Sequence, residues 1–331
     1  MLRCPLCKGA LSAAPLALAC AGCRKTYPIL SGIPDLRVYE DHLIPLQDDY
    51  RKSEKILAQA ATLSCAELVR YYWSLPTDPP TPPDLRDRFV RHVLTDEDRI
   101  QGYIGKIGRG RNFLEVGCGT AALLKAAYPQ FSFAAGCDIA LRWLLIARKR
   151  LEEAGLTANL VCCCADYLPF PENSFDSIAS VSLLEHVSDA AAVVGEFARV
   201  ASPGARVFAW TANRFSLAPE PHVRVWGVGF LPRRWMPAYV KWARGIAYEK
   251  KHLLSCFAIR RLFRKARLGS IRFSLPTITT VDWQHLRGLE RAGARLFRVA
   301  ANVPLLRRVL VLISPVILVE ARAAGNAGRA E

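Results

Sequence analysis

Between Asn112 and Ala212 the chain alternates short apolar runs with segments of helix length, and this rhythm limits the fold more than any other feature. The runs read FLEV then TAALLKAAY, FAAGCDI then LRWLLIARKRLEEAG, NLVCCCAD, SIASVSLL then DAAAVVGEFARVA, and ARVFAWTA. Strands joined through helices require right-handed crossovers, so the expectation is a mostly parallel sheet covered by helices on both faces. After Thr211 a long insertion interrupts the rhythm, which resumes with a helix near 256–267 and strands near 270–275 and 315–321.

Ahead of this core stand Cys4, Cys7, Cys20 and Cys23, two CxxC pairs with twelve residues between them. Such knuckles bring four thiolates around one tetrahedral Zn(II), which stabilises a unit too small to hold itself by burial. Four cysteines leave the metal no open position, so the expected role is structural. The other thiols are expected to remain reduced in a cytoplasmic protein, because the N-terminus lacks the unbroken apolar stretch of a secretory leader. Cys162, Cys163 and Cys164 lie in an apolar run and read as core.

Residues 1–36 therefore form a ribbon, and 37–83 a helical connector ending in a linker broken by Pro76, Pro79, Pro80, Pro82 and Pro83. Asp84 is a plausible N-cap for the helix that leads into a core at 84–211. A basic, aromatic-rich segment with the last two strands fills 212–322, and 323–331 reads as a flexible tail. With 51% hydrophobic and 22% charged residues the chain can build a packed core, which excludes a disordered chain. The apolar run 309–319 is too short to span a bilayer.

The chemistry concentrates where the strands end. Glu115, Gly117 and Gly119 fall between the first strand and its helix, where glycines let the backbone approach a nucleotide-like ligand. The third position of a dinucleotide fingerprint is Ala122 here, so the loop alone is weak evidence. Asp138 ends the second strand, placed for ribose hydroxyls, and Asp166 follows the third, placed for an adenine amine. Phe175 and Asp176 open the fourth strand.

This order, together with LLEHVSD after the fourth strand, resembles the class I S-adenosylmethionine-dependent methyltransferases of the UbiE and Coq5 type (methyltransferase type 11) over roughly 84–211. The resemblance implies a Rossmann-like methyltransferase sheet. It places Glu115, Gly117, Cys118 and Gly119 on the methionine and ribose side, Asp138 and Ile139 by the ribose, Asp166 with Tyr167 by the adenine, and Ser182 on the same edge. The segments CPLCKGAL and LACAGCRKTYPILSGIPDL resemble the Trm112-like zinc ribbon, which supports or guides a catalytic domain. In some quinone O-methyltransferases an acid four residues before the histidine of LLEHVSD helps to bind a metal. Ser182 stands there, which argues against a catalytic metal.

Methyl transfer to a hydroxyl or amine needs an aligned nucleophile and a proton acceptor. His186 and His222 are the candidate catalytic groups, with Asn213, Glu220 and Trp226 candidates for the acceptor pocket. The competing reading gives Glu185 and His186 a loop-capping role, and makes Asn213, Glu220 and His222 ordinary loop polar residues. Of the net charge of +16, most lies in residues 231–310, where 18 Lys and Arg face three acids. These alternate with Trp226, Phe230, Trp235, Tyr239, Trp242, Tyr248, Phe257 and Phe263. Such a field suits an anionic membrane surface, an RNA groove, or solvated helices around a small-molecule pocket. The leading expectation is methylation of a hydrophobic, lipid-linked or glycan-type acceptor, peripheral to the inner face of a membrane. The alternative is an RNA base methyltransferase of the rRNA guanine type, whose ribbon contacts RNA, and the least favoured is a scaffold without chemistry.

Overall fold

The computed structural model describes residues 2–77, 81–157, 159–249 and 251–325. Pro79 and Pro80 of the expected linker, Lys250 of the basic stretch and residues 326–331 of the expected tail lie outside them.

The ribbon is a four-stranded antiparallel meander, β1 (Leu11–Ala14), β2 (Ala17–Cys20), β3 (Thr26–Leu30) and β4 (Ile33–Pro34). Its end does not hang free. Asp35 bridges in parallel to Cys162, and Leu36 donates its N–H to the Cys162 carbonyl at 2.7 Å. Arg3 donates to the Pro169 carbonyl and Lys8 pairs with Glu196 at 3.1 Å, so the ribbon is docked on the main body.

The connector holds α1 (Leu46–Gln59) and α2 (Cys65–Ser74), the latter opened by a capping box between Ser64 and Glu67. Then come α3 (Pro83–Leu94), α4 (Asp96–Gln101) and α5 (Ile104–Ile107). Asp84 is not the N-cap of α3: Pro82 holds that place, Pro83 opens the helix, and Asp84 sits in the first turn, paired with Arg244 at 2.6 Å. Proline suits the opening turn because its missing donor would find no partner there.

The core follows as β5 (Gly110–Val116), α6 (Ala122–Ala127), β6 (Phe131–Asp138), α7 (Leu141–Glu153), β7 (Leu160–Cys162), β8 (Phe175–Val181), α8 (Ala190–Val200) and β9 (Ala201–Ala212). The sheet starts at Gly110, two residues before the expected Asn112. Beyond it are α9 (Met236–Arg244), α10 (Cys256–Lys265), β10 (Leu268–Ser274), α11 (Thr280–His285), α12 (Gly288–Ala300), α13 (Pro304–Ile313) and β11 (Val316–Ala323). The last strand runs one residue into the segment read as tail.

Seven strands form one sheet in the order β10, β11, β9, β8, β5, β6, β7. The neighbours from β7 to β9 pair in parallel, while β11 runs antiparallel to both β9 and β10. The expected α/β sheet covered on both faces is therefore the observed one, with two apolar layers, one holding Phe175, Phe197 and Phe263 and the other Phe113, Leu124 and Leu145. From β5 the chain winds outward to β6 and β7, then returns to place β8 on the opposite side of β5. This reversal opens a crevice at the carboxyl ends of β5 and β8, the usual ligand position in such sheets.

Candidate functional site

At that crevice the backbone turns through three left-handed positions, Gly117 (φ 72°), Gly119 (φ 49°) and Ala121 (φ 61°). A Cβ on Gly117 would press on Leu183 at 3.1 Å, which places the turn after β8 directly against the loop. A Cβ on Gly119 would meet nothing within 4 Å, so this side of the loop is open space that a side chain would fill. Gly117 and Cys118 donate to the Cys137 carbonyl at 2.8 and 3.0 Å, tying the loop to β6. The Cys118 side chain turns inward, its sulfur 3.0 Å from a Cβ built on Gly136, so only its backbone reaches the crevice. Glu115 is buried too: its carboxylate accepts the Leu124 N–H at 2.7 Å, and burial raises its pKa. It steadies the start of α6 instead of lining the crevice.

Asp138 faces the loop. One carboxylate oxygen accepts the Gly119 N–H at 2.9 Å and the other the Ala140 N–H at 2.8 Å, leaving lone pairs for hydroxyl donors. Burial pushes its pKa up, against those two N–H groups, which pull it down. The Ile139 carbonyl accepts from Arg37 at 3.1 Å. Asp166 accepts a hydrogen bond from the Tyr39 hydroxyl, and Tyr39 meets Tyr167 edge to face with centroids 6.2 Å apart. Two half-open aromatic rings and an acid thus stand together beyond the third strand, suited to a flat base. Phe175 and Asp176 lie at the other end of the sheet, where Asp176 accepts the N–H groups of Arg111 and Asn112 and closes β8 onto β5.

Tyr39 belongs to a strap, residues 35–42, which the sequence reading split between the ribbon and the connector. A buried ionic network holds the strap in place. Arg37 binds Asp35 and, at 2.7 Å, Asp49; Arg142 binds Asp49 at 2.7 Å and Asp41 at 3.0 Å. Asp49 also accepts the Leu141 N–H at the start of α7, where an anion complements the helix dipole.

Past β8, Ser182 is a second strained position (φ 53°), exposed beside the crevice. The following turn carries a directed chain of side chains. The Lys251 ammonium lies 2.9 Å from His186 Nδ1, His186 Nε2 lies 3.2 Å from His222 Nε2, and His222 Nδ1 lies 2.6 Å from Glu220. Lysine only donates and carboxylate only accepts, so the polarity is fixed: Lys251 to His186, His186 Nε2–H to His222, His222 Nδ1–H to Glu220. His186 is therefore neutral, with its proton on Nε2. Burial and the Lys251 charge lower the His186 pKa to about 2, and burial lowers that of Lys251. Glu220 is saturated by the N–H groups of His222 and Val223 as well as the ring. Glu185 is buried and bound by the Thr211 hydroxyl at 2.6 Å.

Asn213 has a task other than lining an acceptor pocket. Its amide donates to the carbonyls of Leu312 and Ser314 at 2.9 Å each, its oxygen accepts from Phe215, and it is buried, so it closes the end of α13. Trp226 is exposed, and its carbonyl accepts the Tyr239 hydroxyl at 3.0 Å. Of the aromatics read as one surface, Tyr248 and Phe263 are buried. Lys251 and Tyr39 escaped the sequence reading.

Residues 114–209 match the family model described as "Methyltransferase domain". Over this segment the chain is similar to that family. Curated relatives include the ubiquinone biosynthesis O-methyltransferase of Thiobacillus denitrificans, 36% identical over 106 residues, covering 32% of this chain and 46% of that one. The enzyme of the same name from Idiomarina loihiensis is 30% identical over 133 residues, covering 39% and 52%. The chain spans about half the length of the curated relatives it matches. A solved structure, geranyl diphosphate C-methyltransferase from Streptomyces coelicolor, aligns over 72% of this chain and 79% of that one, with TM-score 0.47 and 14% identity.

The matched segment begins well after the ribbon, so the cysteines must be judged on their own geometry. The sulfurs of Cys4 and Cys23 are 3.5 Å apart, those of Cys7 and Cys20 3.4 Å, and all four lie within 4.8 Å of one another. Four Zn–S bonds of about 2.3 Å imply sulfur separations of about 3.8 Å, which this cluster matches. Burial raises the Cys4 pKa, but backbone N–H groups and the Tyr27 hydroxyl outweigh it and bring that thiol to about 6, whereas burial and the neighbouring sulfurs push Cys23 up to about 12, so the geometry carries the metal reading.

Proposed function

We propose that the protein transfers the methyl group of S-adenosylmethionine to a hydrophobic or lipid-linked small-molecule acceptor, working at a membrane surface. The observation that carries this is the open cradle at Gly119, bounded by Asp138 on one side and by the Leu183–His186 turn on the other. The residues fit the cofactor. Gly119 leaves room for its backbone-hugging middle, Asp138 offers lone pairs to ribose hydroxyls, and Asp166 with Tyr39 and Tyr167 suits the adenine. When bound, the cofactor supplies an activated methyl group for in-line displacement.

The protein's own part is to position and deprotonate the acceptor. His186, a candidate base or loop cap from sequence, has both ring nitrogens engaged and a strongly lowered pKa, so it orients its neighbour. Burial eases loss of a proton from Lys251, and the neutral amine, which still donates one N–H to His186, offers a lone pair to the acceptor's O–H or N–H. It is the group we assign to bind the acceptor oxygen or nitrogen and hold its proton as the methyl group arrives. His222 and Glu220 fix the His186 tautomer from the far side, so that Nδ1 stays an acceptor for Lys251. Cys4, Cys7, Cys20 and Cys23 hold a structural zinc ion whose ribbon carries the strap, and hence Tyr39, to the adenine side.

Calorimetry with S-adenosylmethionine, followed by incubation of the loaded protein with a lipid extract, tests the reading. Binding together with a mass gain of one methyl group on an extract component supports it. Absence of cofactor binding by folded protein refutes it.

A further inference from the structure

The insertion between β10 and β11 folds into helices α11, α12 and α13, the last of which meets the core through the half-buried Val311. Neither α12 nor α13 contains a buried residue. On α12, Leu289, Leu296 and Val299 recur at helical spacing with 90%, 70% and 67% of their surface exposed. On α13, Leu305, Val309 and Leu312 form a second stripe, 69%, 48% and 38% exposed. Between and beside the stripes, Arg291, Arg295, Arg298, Arg307 and Arg308 are all exposed. The acid within the pair, Glu290, is already engaged by Arg224.

We infer that the α12–α13 hairpin is the surface by which this protein docks on an anionic lipid bilayer. The two stripes are aliphatic, which suits acyl chains, whereas a nucleic-acid groove uses aromatic side chains that stack on bases. Protein interfaces favour aromatic cores and exclude charge from the centre, the reverse of what stands here. Four of these arginines have no ion-pair partner among the described residues and the fifth, Arg298, lies over the Trp283 ring, so the two amphipathic helices complement phosphate head groups, and the long arginine stems let the charge stay in the head-group layer while leucines enter below it.

The hairpin is fixed to the site and does not swing independently. Asn213 binds the carbonyls of Leu312 and Ser314, Leu217 donates to the Ile313 carbonyl at 3.1 Å, and the same loop leads on to Glu220 and His222. A docked hairpin therefore holds the acceptor side of the domain at the bilayer, where a hydrophobic acceptor resides. This purpose rests on the function proposed above, but the docking itself does not require turnover.

The test is flotation of the full chain with vesicles of phosphatidylglycerol and phosphatidylcholine in equal parts, against phosphatidylcholine alone. The chain is expected to float with the anionic vesicles. Arg307→Gln with Arg308→Gln should weaken partition about thirtyfold, since each surface arginine is worth roughly a tenfold share or less. Leu296→Glu with Leu305→Glu should remove it, while cofactor binding by calorimetry stays unchanged in both variants. Failure to float, equal flotation on both vesicles, or variants that float like the parent overturns the inference. So does a dimer that the leucine variant dissociates, or RNA binding that it abolishes. Loss of cofactor binding with flotation intact would instead strike the proposed function.

Discussion

Lys251 carries the most consequence for a single side chain. If it binds the acceptor's nucleophile, Lys251→Met should lower kcat by a hundredfold to ten-thousandfold, the usual span of acid–base contributions, and leave cofactor affinity unchanged in calorimetry. Its pKa is lowered by burial, so the neutral form appears earlier as pH rises. Turnover of the parent should climb with pH through an apparent pKa below 10.5, and the methionine variant should show a flat profile over that limb. A steep limb surviving in the variant would move the role to another group. At the loop, Gly119→Val should abolish cofactor binding, because its side chain would occupy the open cradle at a left-handed φ. Gly117, Gly119 and Asp138 could be read from the sequence because their spacing along one βα unit is local. Tyr39 and Lys251 could not: their partners lie 127 and 65 residues away. Asn213 misled for a related reason, since a polar residue after a strand gives no sign that it will close a helix a hundred residues on.

The strap and its ion pairs act at the scale of the element. Arg37 bridges Asp35 and Asp49 with all three side chains almost fully enclosed. Arg37→Met would leave Asp35 uncompensated and should cost about 3–5 kcal/mol, a fall in Tm on the order of 10 °C by thermal unfolding. Removing metal from the ribbon should loosen the same element from its other end. A chelator is expected to lower Tm and weaken cofactor affinity together; unchanged affinity would show that the strap holds without the metal. The strands and helices of 110–212 were legible because period and turn chemistry agree there, as with Asp189, whose carboxylate caps α8 through Ala191 and Ala192. Helices α12 and α13 were not, because most of their apolar residues stay exposed and edge contacts such as Val311 are all that reach the core among the described residues, so an amphipathic period pointed to no core that would fix them.

For the whole molecule, the alternation in sequence settled the layer arrangement but not the strand order, which depends on where each crossover returns. The reversal that puts β8 beside β5 is a property of the complete sheet, and it makes the crevice. The same order leaves β7 outermost on one side, and there the ribbon's exit, Asp35 and Leu36, pairs with Cys162 as a short extra rung. An uncapped parallel edge offers its amides and carbonyls to any passing chain. The N-terminal unit thus also works as a guard against self-association: a chain cut back to residue 37 would present bare rungs at β7 and should precipitate on heating where the intact chain unfolds cleanly.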